Sequence, residues 1–138
     1  MIEVMSPVGS FETLAAAINA GAQSVYFGLG ILNMRAKSTV NFTEDDLATI
    51  VATCREHGVK SYLAVNTVMF DNDLPSMRRL IDLAKMHGVS AIIASDASVL
   101  QYALDQGVEI HASTQLNISN VEALKFYARF CDVVVLAR

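Results

Sequence analysis

Short apolar runs alternate along this chain with longer stretches in which apolar residues recur every three or four positions. The first pattern is that of a buried β-strand, the second that of a helix with one face on a core. Strands are predicted near Ile2–Met5, Ser24–Gly28, Ser61–Asn66, Ala91–Ala94, Glu109–Ser113 and Val133–Ala137, and helices near Phe11–Ala20, Glu44–His57, Leu74–His87, Ser98–Gln106 and Val121–Phe130. Leu47, Ile50, Val51 and Cys54 form the apolar face of the second helix, and Met77, Leu80, Ile81 and Ala84 that of the third. Gly21-Ala22, Gly58-Val59, Gly88-Val89 and Gly107-Val108 read as joints, where glycine takes the left-handed conformation that closes a helix and the next residue anchors on the core. Thr43-x-x-Asp46 and Ser119-x-x-Glu122 read as capping-box starts.

Regular strand–helix alternation implies parallel strands joined by crossovers, hence an α/β fold. A closed barrel and an open doubly wound sheet both satisfy it. The first strand-to-helix turn, Ser6-Pro7-Val8-Gly9-Ser10, lacks the G-x-G-x-x-G spacing of dinucleotide-binding sheets. Polar residues at the C-terminal end of nearly every strand favour the barrel, whose sites are built there. Eight strands with their helices need about 200 residues or more. The expectation is therefore a single partial domain over residues 1–138, the N-terminal six-strand portion of a TIM-type (β/α)8 barrel. Its open edges would favour a homo-oligomer, swapping or completion by another segment.

Composition narrows the function classes. A net charge of -4 gives no basic field for phosphate backbones. Cys54 and Cys131 lie far apart within helical patterns, which suits buried thiols in a reducing compartment better than a disulfide framework or a metal site. The start Met-Ile-Glu-Val does not resemble a secretory leader and no apolar run is long enough to span a bilayer, so a cytoplasmic protein without membrane contact is expected. The G-x-S-x-G, H-E-x-x-H and P-loop spacings are absent.

The densest candidate chemistry is Glu109-Ile-His-Ala-Ser-Thr-Gln115, followed by Asn117. Period two places Ile110 and Ala112 on one face and His111, Ser113 and Gln115 on the other, so the apolar face should meet the helices and the polar face the barrel interior. A polar row there is either a site or a hydrogen-bonded core network in which His111 and Ser113 satisfy each other. Asn66 and Thr67 end the third strand, with Tyr62 and Ala64 on the side of Asn66. Ser95 and Asp96 end the fourth, and Asp96 reads equally as a site carboxylate or as the cap of the next helix. The long connection from Gly28 to Asn41 holds Asn33, Arg35 and Lys37; Arg35 is its best anion ligand, and Arg138 after the sixth strand is a second. His57 and His87 precede helix-closing glycines and read as C-terminal complements. Asp71 and Asp73 read as turn and helix-start residues.

Several of these segments, in the same order, resemble a known family. Met5-Ser-Pro-Val-Gly-Ser-Phe-Glu, Gly-Ala-Gln-Ser-Val-Tyr-Phe-Gly, Asn33-Met-Arg35-Ala, Asn41-Phe-Thr, Val65-Asn-Thr67, Ser95-Asp96, His111-Ala-Ser-Thr-Gln115 with Asn117, and Val135-Leu-Ala-Arg138 are similar to the N-terminal region of the collagenase-like peptidases of family U-thirty-two. The family is named for proteases, which implies a hydrolase acting on protein. The resemblance also points to members that hydroxylate transfer RNA, ribosomal RNA or a quinone precursor without molecular oxygen, using an iron–sulfur cluster and, for RNA, prephenate. Their cluster cysteines lie beyond the region matched here, and Cys54 and Cys131 do not fit that signature. The resemblance thus implies no cofactor ligands and no metal site in this chain, an iron–sulfur cluster only in a full-length protein, and little activity for this segment alone. It places Arg35, Asn66, Asp96, His111, Ser113, Gln115 and Arg138 at the barrel mouth. Ser95 departs from the family, which often has Gln there. The leading expectation is a barrel segment of an RNA hydroxylase; the alternatives are a peptidase acting on protein and a non-catalytic fragment that binds a partner through its sheet edge.

Overall fold

A computed structural model of the chain describes residues 2–34 and 41–138. Its strands are β1 (Met5–Pro7), β2 (Ser24–Phe27), β3 (Lys60–Val65), β4 (Ala91–Ala94), β5 (Ile110–Ala112) and β6 (Val133–Val134), all parallel and hydrogen-bonded in sequence order. Between them run α1 (Phe11–Asn19), α2 (Leu47–Glu56), α3 (Leu74–His87), α4 (Ala97–Gln106) and α5 (Val121–Tyr127). The result is the half-barrel anticipated from the alternation.

Register separates the two faces of the sheet. Paired residues of parallel strands point the same way, so Phe27, Leu63 and Ile92 share one face with Ile110, and Tyr26 and Tyr62 share the other. Val25, Phe27, Leu63, Val65, Ile92, Ala94, Ile110 and Ala112 are all fully buried. Against this outer face lie the predicted stripes of α2 (Leu47, Ile50, Val51, Cys54) and α3 (Met77, Leu80, Ile81, Ala84), together with Val99, Leu100 and Ala103 of α4. Burying an aliphatic side chain of this size stabilises by about 1.5–3 kcal/mol.

Several boundaries differ from the pattern, each for a local reason. The first strand starts at Met5 rather than Ile2 and includes Pro7. Proline is tolerated because β1 is an edge strand and Val8, not Pro7, donates to the Tyr26 carbonyl (3.0 Å). The second helix opens with a 3-10 turn, Glu44–Asp46, where the Asp46 carboxylate accepts from Thr43 N–H at 2.8 Å. The last helix is capped by Asn120, whose side chain accepts from Ala123 N–H (2.8 Å), not by Ser119. It ends at Tyr127, and no residue in it is fully buried. The sixth strand is short, although Val135 N–H still donates to the Ala112 carbonyl (3.0 Å). Gly88 and Gly107 close α3 and α4 with φ of 77° and 70°, as the joints required.

Candidate functional site

At the C-terminal end of the sheet, side chains tie successive loops together. Asn66, the first residue after β3, accepts Met34 N–H on Oδ1 (3.0 Å). Ser95, the first after β4, uses its hydroxyl proton between the Asn66 carbonyl (3.0 Å) and Gln115 Oε1 (3.2 Å). Asp96 caps α4 through Ser98 N–H (2.9 Å) and Ser98 Oγ (2.6 Å), while its second oxygen accepts Met69 N–H (3.0 Å). Burial works against its charge, but these three donors outweigh it and hold the carboxyl below the usual aspartate range. Asp96 is therefore a helix cap and a loop anchor at once, and it is also one of the residues lining the cleft.

Two hollows meet at Asn66. The larger, of about 520 Å³, is lined by Asn66, Ser95, Asp96 and Gln115 against apolar walls of Met34, Val68 and Leu116. The smaller, of about 240 Å³, lies on the inner face of the sheet, with Tyr26, Ser113, Thr114 and Arg138 around it. Of the residues expected at the mouth, Asn66, Asp96, Gln115, Ser113 and Arg138 are thus brought together, and Arg35 lies outside the described residues.

The remaining candidates take other positions. The period-two row ends at Ser113, because Thr114–Leu116 forms a 3-10 turn; Ser113 Oγ accepts Gln115 N–H (3.3 Å), and Gln115 reaches the cleft from the turn rather than from the strand. Asn117 closes that turn at φ 51°, a conformation asparagine tolerates, and donates to the Gln115 carbonyl (3.3 Å). His111 sits deeper, lining neither hollow. Its Nε2 lies 2.8 Å from Glu109 Oε1 and its ring packs on Tyr62 with centroids 4.6 Å apart, so His111 and Ser113 do not satisfy each other.

The pattern reading missed the partners of this lower layer. Tyr62 donates to Glu3 Oε1 (2.6 Å), and Lys60 Nζ lies 3.2 Å from Oε2. The Tyr62 hydroxyl holds Glu3 below its usual range, while burial and then Glu3 itself push the phenol well up. The Ser24 hydroxyl lies close enough to favour the ionised Glu3, yet no partner sits within hydrogen-bonding geometry of it among the described residues. Glu109 was legible as a neighbour of His111 by period two, whereas Glu3 carries no such signal because Ile2–Val4 is not a regular strand. In the connection after β2, Asn33 is buried and donates to the Leu29 and Gly30 carbonyls at 3.4 and 3.3 Å. A Cβ on Gly28 would overlap the Asn33 side chain, which explains the glycine there.

The cysteines do not suit an iron–sulfur cluster, which is held by thiolates. Burial pushes both thiols up, with Asp132 adding to the effect at Cys131, and among the described residues no three His, Cys, Asp or Glu side chains come together as a metal group. No helix among the described residues is long and apolar enough to cross a membrane.

Comparison with known proteins fits this geometry. A collagenase of Porphyromonas gingivalis is 62% identical over 136 residues, covering 99% of this chain and 33% of that protein. An uncharacterized protease of Methanocaldococcus jannaschii is 39% identical over the whole chain and 34% of its own length. A 23S rRNA 5-hydroxycytidine synthase of Escherichia coli is 33% identical, covering 99% of this chain and 21% of that protein. The chain thus spans about a third or less of the curated relatives it matches. The solved structure of a U32 peptidase superposes with a TM-score of 0.80 at 13% identity, over 99% of this chain and 58% of that one, which supports the fold. The model of peptidase family U32 matches residues 9–138, and the chain belongs to that family.

Proposed function

We propose that this chain forms the substrate-holding part of a barrel enzyme that hydroxylates RNA, working within a protein of its relatives' length. The observation that carries this reading is the chemistry of the larger hollow. Two side-chain amides, Asn66 and Gln115, line it with Ser95 and Asp96 and with the apolar Met34, Val68 and Leu116. Amides read the hydrogen-bonding edge of an unstacked base, and apolar walls suit its faces. A volume of about 520 Å³ is ample for one base. The rRNA-modifying relative acts on a cytidine by its name. The Cys54 and Cys131 thiols take no part in this reading.

A second reading, peptidase, is favoured by the 62% identity to a protein named collagenase. Hydrolysis by a nucleophile needs a hydroxyl or thiol activated by a base. Among the hydrogen bonds of the described residues no Ser, Thr or Cys side chain pairs with a histidine: Ser113 is engaged by Gln115 N–H and His111 by Glu109. A third reading, a partner bound at the sheet edge, draws on the exposed apolar Val133, Val135 and Leu136 beside β6.

The test is nucleoside mass spectrometry of RNA incubated with the full-length protein in a cell extract, which supplies the oxidant and oxygen source. One added oxygen on a base, lost with Asn66→Ala or Gln115→Ala, is the expected result. Cleavage of denatured collagen by the same preparation, abolished by His111→Ala, would establish the peptidase instead.

A further inference from the structure

The polar cleft does not end at the mouth. A groove of about 290 Å³ begins at Ser95, Ala97 and Leu116, which also line the larger hollow, and runs between α4 and α5 past Gln101 to Phe126, Tyr127 and Phe130. No carboxylate lines it, although acidic residues outnumber basic ones by 14 to 10 in this chain. Phe126 is 49% exposed. Its ring meets Phe130 at 5.7 Å and Tyr127 edge-on at 5.1 Å. The Arg129 guanidinium, in the turn that follows α5, sits 4.5 Å over Phe126 and 5.7 Å from Phe130, and Arg129 is exposed.

We propose that this groove between α4 and the end of α5 is a stacking platform for the single-stranded RNA that flanks the base held in the cleft. Exposed aromatic rings beside a guanidinium are the elements with which proteins hold unpaired nucleotides without reading their sequence, and the cation meets the phosphate charge. Three features select this occupant over an apolar helix: continuity with the amide-lined hollow, the absence of acidic lining, and the cation laid across the rings. The inference rests on the RNA reading above.

The experiment measures binding of the full-length protein to a fluorescent single-stranded RNA oligonucleotide of mixed sequence, with Phe126→Leu, Phe126→Ala and Arg129→Gln as variants. Phe126→Leu preserves apolar bulk and removes only the ring, and a melting curve reports whether each variant is folded. The platform predicts affinity losses of about tenfold for either Phe126 variant with melting unchanged for Phe126→Leu. Arg129→Gln should weaken binding and flatten the salt dependence by about one counterion. Wild-type binding that the folded Phe126→Leu and Arg129→Gln variants retain would overturn the platform and leave the RNA reading intact. Unchanged affinity with lowered melting would assign the groove to packing by another chain segment, and a dimer dissolved by these changes would assign it to a second copy; both overturn the proposal. Wild-type protein that binds no RNA and hydroxylates none would overturn the RNA reading itself.

Discussion

The two faces of the sheet are made by alternate residues of the same strands, yet they differ in almost every property. Outward, Val25, Phe27, Leu63, Val65, Ile92 and Ile110 are buried without a polar atom under α2, α3 and α4. Inward, Ser24, Tyr26, Tyr62, His111 and Ser113 carry hydroxyl, phenol and imidazole groups; Tyr62 bonds to Glu3, His111 to Glu109 and Ser113 to the Gln115 turn. Stability is concentrated on one face and polar chemistry on the other. Substitutions one residue apart in a strand should therefore have effects of different size and kind.

The largest effect is expected outside. Leu63→Ala or Ile92→Ala should lower unfolding free energy by about 2–5 kcal/mol in denaturant titration, since each leaves a cavity under packed helices. A loss similar to that of an inward substitution such as Ile93→Ala would break the contrast between the faces.

Asp96→Ala comes next, at about 1–2 kcal/mol, because it removes the α4 cap and the Met69 tether together. The Asp96 carboxyl titrates lower folded than unfolded, so its contribution is present above the ordinary aspartate value and fades as pH falls through the depressed folded value. Melting temperatures of wild type and Asp96→Ala should converge on acidification below about pH 4.

Tyr62→Phe should cost about 1 kcal/mol, since the phenol is engaged by the Glu3 carboxylate. It should also raise the Glu3 titration toward its normal value, which carbon-detected NMR of the carboxyl can follow. An unshifted Glu3 would show that Ser24 and Lys60 sustain its charge without the phenol.

Ser24→Ala is expected to be the smallest change, neutral within about 0.5 kcal/mol or slightly stabilising, because the buried hydroxyl has no partner in hydrogen-bonding geometry. A loss above about 1 kcal/mol in the same titration would mean that the hydroxyl is satisfied in solution.

Much of the outer face is legible in the sequence. Leu47, Ile50, Val51 and Cys54 are buried as their three-and-four spacing requires, and so are Met77, Leu80, Ile81 and Ala84. The inner face was legible in part. Ile110 and Ala112 alternate with His111 as period two demands, but the row stops where the chain turns at Thr114. Asp96 read equally as cap and as site because one carboxylate does serve both loops and helix.

Local periodicity, glycine joints and a capping residue at Asp96 are determined by the sequence itself, because each depends on residues within a few positions of one another. The meeting of Glu3 with Tyr62 across 59 positions, of Asn66 with Met34 across 32, and of Ser95 with Gln115 across 20 was decided only by tertiary structure. Those contacts depend on strand register and loop path, which are set by the packed helices on the opposite face and leave no periodic trace in the residues that meet.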